Sequence, residues 1–181
     1  NISNLTLEAL IEAEKKGINI PLQLQNDVKM IHQGCYFTYQ QDSTYYLYIN
    51  EVGIGSSYFY KDEPLYGRSG IMGEIGLISL KGKTINQQIR ECQNQEEFNE
   101  ILSLLLSIVF TMIDPKRLEL SLDLKWRYEE NIIEKVLNEI NQSCFENLYF
   151  HEDVSSMLFD GLVYRGVVYL LKERIEKNEK I

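Results

Sequence analysis

The sequence predicts an α/β fold in which helices flank a mixed sheet. Segments with strand character alternate with segments of helical periodicity through most of the 181 residues, which is the pattern of a layered α/β domain. Two strand-like segments follow each other directly across a glycine-bearing turn, so we expect one antiparallel hairpin within the sheet. Hydrophobic residues make up 44% of the chain and charged residues 25%, which are ordinary globular values and argue against disorder.

The first part of the chain predicts a helix, a short strand and a second helix. A short apolar stripe at helical spacing, followed by a glycine stop, predicts the first helix. These residues are Leu7, Leu10, Ile11 and Gly17. Residues 18–25 predict the strand, which contains Pro21. Asn26 and Asp27 then provide an N-cap for a helix that we expect to end near Phe37.

The middle of the chain predicts the hairpin and a glycine-rich loop. The aromatic and β-branched run Tyr45–Ile49 predicts a buried strand. The turn Val52–Gly55 separates it from a second strand, Ser56–Tyr60, and a further turn covers Lys61–Pro64. Glycines then recur at every third position within one loop. They are Gly67, Gly70, Gly73 and Gly76.

The rest of the chain alternates between helix and strand. Two helices separated by a polar break come next. The second and longer one ends before Asp114 and Pro115, since proline cannot continue a helix. The alternating segment Arg117–Asp123 predicts a half-buried strand. An amphipathic helix, a short strand and a long final helix follow. The predicted helices are 84–92, 95–113, 129–141 and 155–176, and the last strand is 145–150.

The charge balance excludes a nucleic-acid backbone as a direct partner. The chain has 27 acidic and 18 basic residues, a net charge of −9, whereas nucleic-acid binding needs a cationic surface. The longest apolar stretch, Ile101–Ile113, is shorter than the roughly 20 residues that cross a bilayer. No signal-peptide pattern opens the sequence. We therefore expect a cytoplasmic protein with no membrane anchor.

Neither the cysteines nor the histidines predict a metal site. Cys35, Cys92 and Cys144 are too widely spaced for a disulfide framework or a C-x-x-C metal knuckle, which favours ordinary thiols in a reducing compartment. His32 and His151 have no second imidazole or thiol at ligand spacing in the sequence. We interpret each as a surface or core histidine.

Three segments suit ligand binding, and each has a structural alternative. Asp27 stands between a strand and a helix, where a carboxylate could bind sugar hydroxyls or accept a proton, or could cap the helix. Glu74 lies between two glycines that let a ligand approach closely, or it occupies an ordinary surface loop. Gly53 and Gly55 could cradle a phosphate with backbone N–H groups, or they form a hairpin turn.

Four segments, in this order and spacing, resemble the ROK family (repressor, open reading frame, kinase). The segments are similar to the family's E-N-D-A-N stretch, its G-T-G-I-G strand and turn, its L-Y-R-G-A-N-G and G-E-I-G loop, and its L-N-P-E helix end. They are residues 25–27, 48–56, 65–76 and 113–115. The resemblance runs from about Leu5 to Glu173. It implies an actin-like ATPase (ribonuclease H-like) lobe and assigns residues 1–181 to a C-terminal sugar-sensing domain of a longer protein.

The resemblance also implies a sugar site and the remnant of a phosphate loop. The side chains or backbone of five residues would contact the sugar, with Asp27 at the position of the kinase's general base. These residues are Asn26, Asp27, Ser69, Gly70 and Glu74. Gly53 and Gly55 would be the remnant of the phosphate loop. Lys29 departs from the pattern, because the family has asparagine there.

Other departures predict that phosphotransfer and zinc binding are lost. Glu51 and Val52 replace the first glycine and the threonine of the phosphate loop. Like charges about 4 Å apart repel by roughly 1 kcal/mol in water and by several times more near a protein surface, so we expect neither ATP nor Mg²⁺ to bind. The adenine-side glycines are missing from Leu118–Leu124. Leu77 replaces the zinc-ligating histidine and the family's cysteine run is absent, so we expect no zinc or other metal cofactor.

The resemblance therefore implies the effector, sugar-binding and dimerisation domain of a ROK-type transcription regulator that has lost kinase activity. Its partners would be a sugar or sugar phosphate and a second copy of the chain. It would reach DNA only through an N-terminal domain outside this sequence. Two alternatives stay open. One is the C-terminal lobe of a ROK sugar kinase that phosphorylates a hexose with ATP, and the other is a dimerisation scaffold that has lost sugar binding.

Overall fold

The computed structural model describes residue 16 and residues 26–39, 42–61, 63–129, 131–140, 145 and 147–178. The predicted helix around Leu7 and the predicted strand at 18–25 lie outside the described residues. The helices within them are α1 (Asp27–Tyr39), α2 (Ile85–Glu91), α3 (Gln95–Met112), α4 (Asn131–Glu139) and α5 (Val154–Asn178). The strands are β1 (Ser43–Asn50), β2 (Ile54–Tyr60), β3 (Glu63–Pro64), β4 (Ser79–Leu80), β5 (Lys83–Thr84), β6 (Arg117–Asp123) and β7 (Leu148–Phe150).

The main sheet is mixed and has the strand order β3-β2-β1-β6-β7. β1 and β2 form an antiparallel hairpin, whereas β1 pairs with β6 and β6 pairs with β7 in parallel. β4 and β5 form a separate small hairpin. The predicted α/β class and mixed sheet are therefore confirmed, whereas the sheet has two successive antiparallel pairs, β1–β2 and β2–β3, instead of the single predicted hairpin.

Alternate residues of β1 face two different layers of helices. Tyr45, Leu47 and Ile49 belong to a large core with side chains of α2, α3 and α4. Tyr46 faces the other way, into a smaller core with side chains of α1 and α5. This is the alternation that a strand buried on both faces requires. The protein therefore has three layers, with α1 and α5 on one side of the sheet.

The prediction of a half-buried β6 is wrong, because both faces of this strand are covered. Leu118 and Leu120 belong to the large core. Arg117, Glu119 and Ser121 on the opposite face are also buried, beneath the layer formed by α1 and α5. Two polar contacts form there: Ser121 accepts a hydrogen bond from the Tyr46 hydroxyl at 2.9 Å, and Glu119 pairs with Arg117. Polar residues in an alternating pattern do not by themselves indicate solvent.

Several segment boundaries also differ from the predictions; for example, β1 begins at Ser43 instead of Tyr45, and α1 ends at Tyr39 instead of near Phe37. β2 begins at Ile54 instead of Ser56, because Asn50 and Gly53 exchange backbone hydrogen bonds and leave only two residues in the hairpin loop. The predicted turn at 61–64 contains the short edge strand β3, where proline is tolerated. The last strand begins at Leu148 instead of residue 145. By contrast, α2 and α3 begin and end within a residue of their predicted limits.

α1 and α5 cross at glycines that allow backbone contact. A Cβ atom on Gly161 of α5 would lie 1.8 Å from the carbonyl oxygen of Met30, and one on Gly34 of α1 would lie 2.1 Å from that of Met157. Both distances are impossible for real atoms. The glycines therefore set how closely α5 holds α1, the helix whose N-terminus carries the predicted sugar residues.

α5 also carries large apolar side chains that are at least half exposed. They are Phe159, Leu162, Val163, Val167, Leu171 and Ile175, and we call them the α5 stripe. Exposed apolar side chains clustered on one element are typical of a protein–protein contact. Within the described part of the chain, no helix combines the length and the apolar character that crossing a membrane requires.

Candidate functional site

The N-terminus of α1 places Asn26 and Asp27 at the protein surface. The Asn26 side-chain oxygen accepts a hydrogen bond from the backbone N–H of Lys29 at 3.0 Å, which is the geometry of an N-cap. Oδ1 of Asp27 accepts from the N–H of Val28 at 2.8 Å. Each side chain thus commits one oxygen to the helix terminus, and both side chains are exposed. The capping alternative therefore holds for Asn26, while Asp27, the first residue of the helix, bonds only the adjacent N–H through Oδ1.

Asp27 stands near the carboxyl ends of β1 and β6, where open α/β sheets bind ligands. There the Tyr48 hydroxyl donates to Oδ2 of Asp123 at 3.1 Å. Burial raises the pKa of Tyr48, and the charges of Asp123 and Asp27 raise it further. A cavity of about 220 Å³ opens beside Tyr48 and Asp123 and extends to His151. Asp27 therefore contributes to an acidic edge of the sheet.

The glycine-rich loop places Glu74, Ser69 and Gly70 on another part of the surface, and all three are exposed. Gly73, directly before Glu74, has a φ of 97°, and a Cβ there would lie 2.3 Å from the carbonyl oxygen of Ser56. The Ser56 hydroxyl donates to the Gly73 carbonyl at 2.6 Å. The glycine is therefore needed for the loop to pack on β2, which fixes Glu74 beside that strand.

Lys29 connects α1 to this loop, and the sequence indicated it only as a departure from a family pattern. Its ammonium nitrogen lies 4.0 Å from the centre of the Tyr66 ring, a cation–π distance. Burial lowers the pKa of Lys29, and the negative charge of Glu74 opposes that change. Lys29 is therefore the residue through which the first turn of α1 interacts with the Glu74 carboxylate.

The predicted sugar residues thus fall into two groups, which Lys29 connects. Asn26 and Asp27 begin the helix, next to the acidic edge. Ser69, Gly70 and Glu74 belong to the glycine-rich loop, which Lys29 joins to the helix. Because Asp27 and Lys29 are two positions apart, they are separated by about 200° around the helix axis. The arrangement places exposed polar groups near one helix N-terminus, which itself favours negative charge.

The hairpin predicted as a phosphate-loop remnant uses its own backbone donors internally. Oδ1 of Asn50 accepts from the N–H groups of Val52 and Gly53 at 2.9 and 3.0 Å. Oδ1 of Asn86, on α2, accepts from the N–H of Ile54 at 2.8 Å. These are three consecutive donors of the turn. An anion at this turn would have to displace side-chain oxygens that already satisfy them.

Packing explains why glycine occupies positions in and near the hairpin. A Cβ on Gly53 would lie 2.6 Å from Oδ1 of Asn86, and one on Gly76 would lie 2.1 Å from the same atom. A Cβ on Gly55 would lie 2.4 Å from Cγ2 of Val28. Gly53 and Gly76 therefore make room for the Asn86 amide, and Gly55 makes room for the first turn of α1.

The structure also brings together three side chains that sequence spacing kept apart: Cys35, Glu119 and His151. Cys35 comes from α1, Glu119 from β6 and His151 from the residue after β7. Nε2 of His151 contacts Oε2 of Glu119 and lies 4.0 Å from Sγ of Cys35. Burial and the charge of Glu119 raise the pKa of the Cys35 thiol. The one sequence signal was an acidic residue at the centre of an apolar strand. His32, by contrast, is a buried core histidine bonded to Ser57 and Thr44.

Comparisons with known proteins identify relatives by structure alone. No protein-family model matches the chain, and no curated protein sequence matches it. A ROK hexokinase from Thermus thermophilus has a TM-score of 0.60 at 14% identity, covering 81% of this chain and 65% of its own. A ROK family protein from Streptococcus pneumoniae, solved with sucrose, has a TM-score of 0.64 at 15% identity, covering 87% and 68%. An inorganic polyphosphate/ATP-glucomannokinase from Arthrobacter sp. has a TM-score of 0.55 at 13% identity, covering 81% and 57%.

The described chain thus corresponds to about two thirds of the length of these proteins, and to as little as 57% of one of them. An identity of 13 to 15% with consistent topology is evidence of a shared fold, and function has to be argued from the site. The chain has the α/β, actin-like ATPase fold of these ROK-family proteins.

Proposed function

We propose that this chain is the effector domain of a ROK-type transcription regulator, which binds a sugar or sugar phosphate and does not phosphorylate it. Its ligand would bind around the first turn of α1, through Asn26, Asp27, Ser69, Gly70 and Glu74. A second copy of the chain would complete the dimer, and DNA would be contacted by a domain outside this sequence. The protein would need no ATP or Mg²⁺. Ligand binding would act by favouring one of two dimer arrangements.

The proposed loss of phosphotransfer rests on the hydrogen bonds within the β1–β2 hairpin. Kinases of this fold need backbone donors and Mg²⁺ to neutralise the charge on the transferred phosphoryl group. Here Asn50 and Asn86 occupy the donors of Val52, Gly53 and Ile54. The exposed carboxylate of Glu51 stands in the same two-residue loop. A triphosphate would have to break these internal hydrogen bonds, and the Glu51 carboxylate would also repel it. Its binding is therefore disfavoured for two separate reasons.

Retention of sugar binding rests on the exposed polar groups around α1. Carboxylates such as Asp27 and Glu74 accept hydrogen bonds from hydroxyls, and charge-assisted bonds are stronger than neutral ones. The buried Lys29 beside Glu74 adds a positive charge. That charge suits a sugar carrying a phosphate or a carboxylate. Sucrose is the ligand named for the Streptococcus pneumoniae protein of the same fold, which supports saccharides as the ligand class.

A second candidate function is the C-terminal lobe of a sugar kinase. Two of the structural relatives are named as kinases. In addition, a cavity of about 380 Å³ lies beside the hairpin and is lined by Leu124, Trp126, Arg90 and Glu51, among others. An aromatic and apolar wall with a nearby guanidinium suits a nucleotide base and phosphate. This observation makes ATP binding a direct question for experiment.

Trp126 is the single tryptophan of the chain, so its fluorescence reports on that cavity alone. We expect no change in emission on addition of MgATP up to millimolar concentration, and no sugar-dependent release of ADP in a coupled assay. Saturable quenching by MgATP together with sustained, sugar-dependent ADP release from the full-length protein would establish the kinase instead. The Glu51→Gly variant tests the acidic side chain directly, since it should bind MgATP no worse than the wild type.

Sugar binding is measured by titration calorimetry with hexoses, sucrose and hexose phosphates. We expect one of these to bind the wild type, and the Asp27→Asn variant to bind it at least tenfold more weakly, which corresponds to about 1.4 kcal/mol. Asp160→Asn, an exposed aspartate of α5, is the matched control and should bind like the wild type. Equal affinity of Asp27→Asn and the wild type would show that Asp27 has no role in binding. No binding by any sugar would leave only the dimerisation scaffold.

A further inference from the structure

The Cys35–Glu119–His151 cluster is built from three separate elements and contains none of the predicted sugar residues. One donor atom from each residue lies within 4.8 Å of the other two, and no other such group of three histidine, cysteine or acidic residues occurs in the part of the chain that the structure describes. Cys35 and Glu119 are almost completely buried. His151 is partly exposed and borders the 220 Å³ cavity at the carboxyl edge of the sheet. The cluster therefore has a dry interior and one open side.

The chemistry of the donors is that of a zinc site. Zn²⁺ binds cysteine thiolate, histidine nitrogen and carboxylate oxygen, and prefers tetrahedral geometry. With metal–ligand distances of about 2.0 to 2.3 Å, tetrahedral donors stand about 3.3 to 3.7 Å apart. Sγ of Cys35 lies 4.0 Å from Nε2 of His151. Small side-chain rotations would therefore bring these atoms to the required spacing.

The surrounding residues already orient the cluster. Arg117 binds Oε1 of Glu119, and His151 contacts Oε2. The Arg117 guanidinium also lies 3.3 Å above the Tyr149 ring. The backbone N–H of His151 donates to the Leu120 carbonyl at 3.0 Å. At metal sites, a carboxylate ligand is itself held by a hydrogen bond from a neighbouring residue. Arg117 holds one oxygen of Glu119 in this way and leaves the other for a metal.

We propose that Cys35, Glu119 and His151 bind one Zn²⁺ ion per chain. The Cys35 thiol would lose its proton to solvent on binding, and Oε2 of Glu119 and Nε2 of His151 would become ligands in place of their contact with each other. The sulfur of Met157 lies 3.2 Å from that of Cys35, beside the cluster. This proposal replaces the expectation of a metal-free chain, which was based on the family's own zinc ligands. It is independent of sugar binding.

The role of the ion would be structural. It would connect α1, β6 and the segment between β7 and α5, which are far apart along the chain. α1 carries Asn26 and Asp27, so the ion would hold the helix that presents them. Because a bound ion stabilises the folded state by mass action, Zn²⁺ should raise the melting temperature of the protein.

Cobalt titration of the chelator-treated protein tests the site, since tetrahedral Co²⁺ is coloured and a thiolate ligand adds a charge-transfer band. We expect the wild type to bind one Co²⁺ with that band and to release it to Zn²⁺. Cys35→Ser should lose the band and bind at least tenfold more weakly. Cys92→Ser removes the other described buried thiol and should behave like the wild type. His151→Gln should weaken binding at least tenfold.

The proposal is overturned if stoichiometric Co²⁺ gives no tetrahedral spectrum, or if Cys35→Ser retains the charge-transfer band. The cluster would then be a buried ion-pair network only. Circular dichroism checks that each variant is folded. Cadmium-113 NMR of the wild type provides a test that needs no variant, because one sulfur ligand shifts the resonance downfield from that of an all-nitrogen-and-oxygen site. A resonance without that shift would equally reject Cys35 as a ligand.

Discussion

At the scale of single residues, Asn86 contacts the β1–β2 hairpin, which we predict to be a phosphate-loop remnant. Its side-chain oxygen binds the Ile54 N–H and occupies the space that Gly53 and Gly76 leave open. The amide is partly buried. Removing it would leave a backbone donor without this acceptor, which costs more than the net value of the hydrogen bond.

We therefore expect Asn86→Ala to lower the free energy of unfolding by about 1 to 3 kcal/mol. Urea denaturation followed by circular dichroism measures the change. Asn138→Ala is the matched control, because Asn138 is an exposed residue of a helix and alanine has the higher helix propensity. Equal destabilisation by the two substitutions would mean that the Asn86 hydrogen bond contributes nothing specific.

His32 predicts how stability depends on pH. Burial lowers the pKa of His32 to about 3, and the positive charges of Arg117 and His151 act in the same direction, while its hydrogen bond with Ser57 opposes them. The unfolded chain, with a histidine pKa near 6.5, binds the proton more readily than the folded chain. Above pH 6.5, His32 therefore does not change the free energy of unfolding with pH. As the pH falls from 6.5 toward 3, it lowers the free energy of unfolding by up to about 1.4 kcal/mol per pH unit.

The variant His32→Gln should be less stable than the wild type at pH 7, and its stability should fall less steeply between pH 6.5 and 4. Urea midpoints measured across that range give both slopes. If the two slopes are the same, His32 is not the group that destabilises the fold in acid.

At the scale of elements, the crossing of α1 and α5 is the contact most sensitive to a single methyl group. The Cβ position of Gly161 overlaps the Met30 carbonyl, whereas Gly166 on the same helix has no atom within 4 Å of its Cβ position. The two glycines thus differ in packing and share the same helical backbone.

We expect Gly161→Ala to destabilise the protein by about 1 to 3 kcal/mol through overpacking. Gly166→Ala should stabilise it by about 0.5 to 1 kcal/mol, since alanine is the better helix former. Thermal and urea unfolding of the two variants gives both values. Unfolding curves for Gly161→Ala that coincide with those for Gly166→Ala would contradict the close crossing.

At the scale of the whole molecule, we propose the α5 stripe as the contact between the two copies of the chain in the dimer. Val167 lies at its centre and is half exposed. A glutamate there would place a charge inside an apolar contact, which is costly unless the charge is paired. Met112 is exposed on α3, outside the stripe, and provides a control for added charge on an apolar surface residue.

Sedimentation velocity should show a dimer for the wild type and for Met112→Glu, and a monomer for Val167→Glu. A dimer that persists in Val167→Glu would exclude the α5 stripe as its interface. A wild-type monomer at all concentrations would contradict the proposed dimerisation of this chain.

The sequence predicted the layers of the fold and failed where contacts are distant. Helices α2 and α3 were predictable because Thr84 and Asn94 cap them locally, and the hairpin because aromatic runs and glycines are adjacent. The burial of Glu119 was not predictable, since it depends on α1 and α5 covering the second face of β6. The same is true of the approach of His151 to Cys35, which no spacing in the sequence records.

The candidate site followed the same rule. Asn26 and Asp27 were placed at a helix N-terminus from local pattern alone, and the structure has them there. The role of Asn86 was missed, because its contact with Gly53 and Gly76 joins three segments of the chain. Lys29 was identified as unusual, but its position over Tyr66 requires knowledge of where the glycine-rich loop lies. That these residues bind a sugar stays a prediction.

The carbonyl of Met30 against Gly161 has a mechanical consequence. Two helices in contact through their backbones cannot slide past one another by rotating side chains, so they move together as a rigid pair. α1 begins in the solvent-facing turn with Asn26 and Asp27, and α5 carries exposed apolar side chains. A displacement of α5 would therefore also displace the turn at the start of α1.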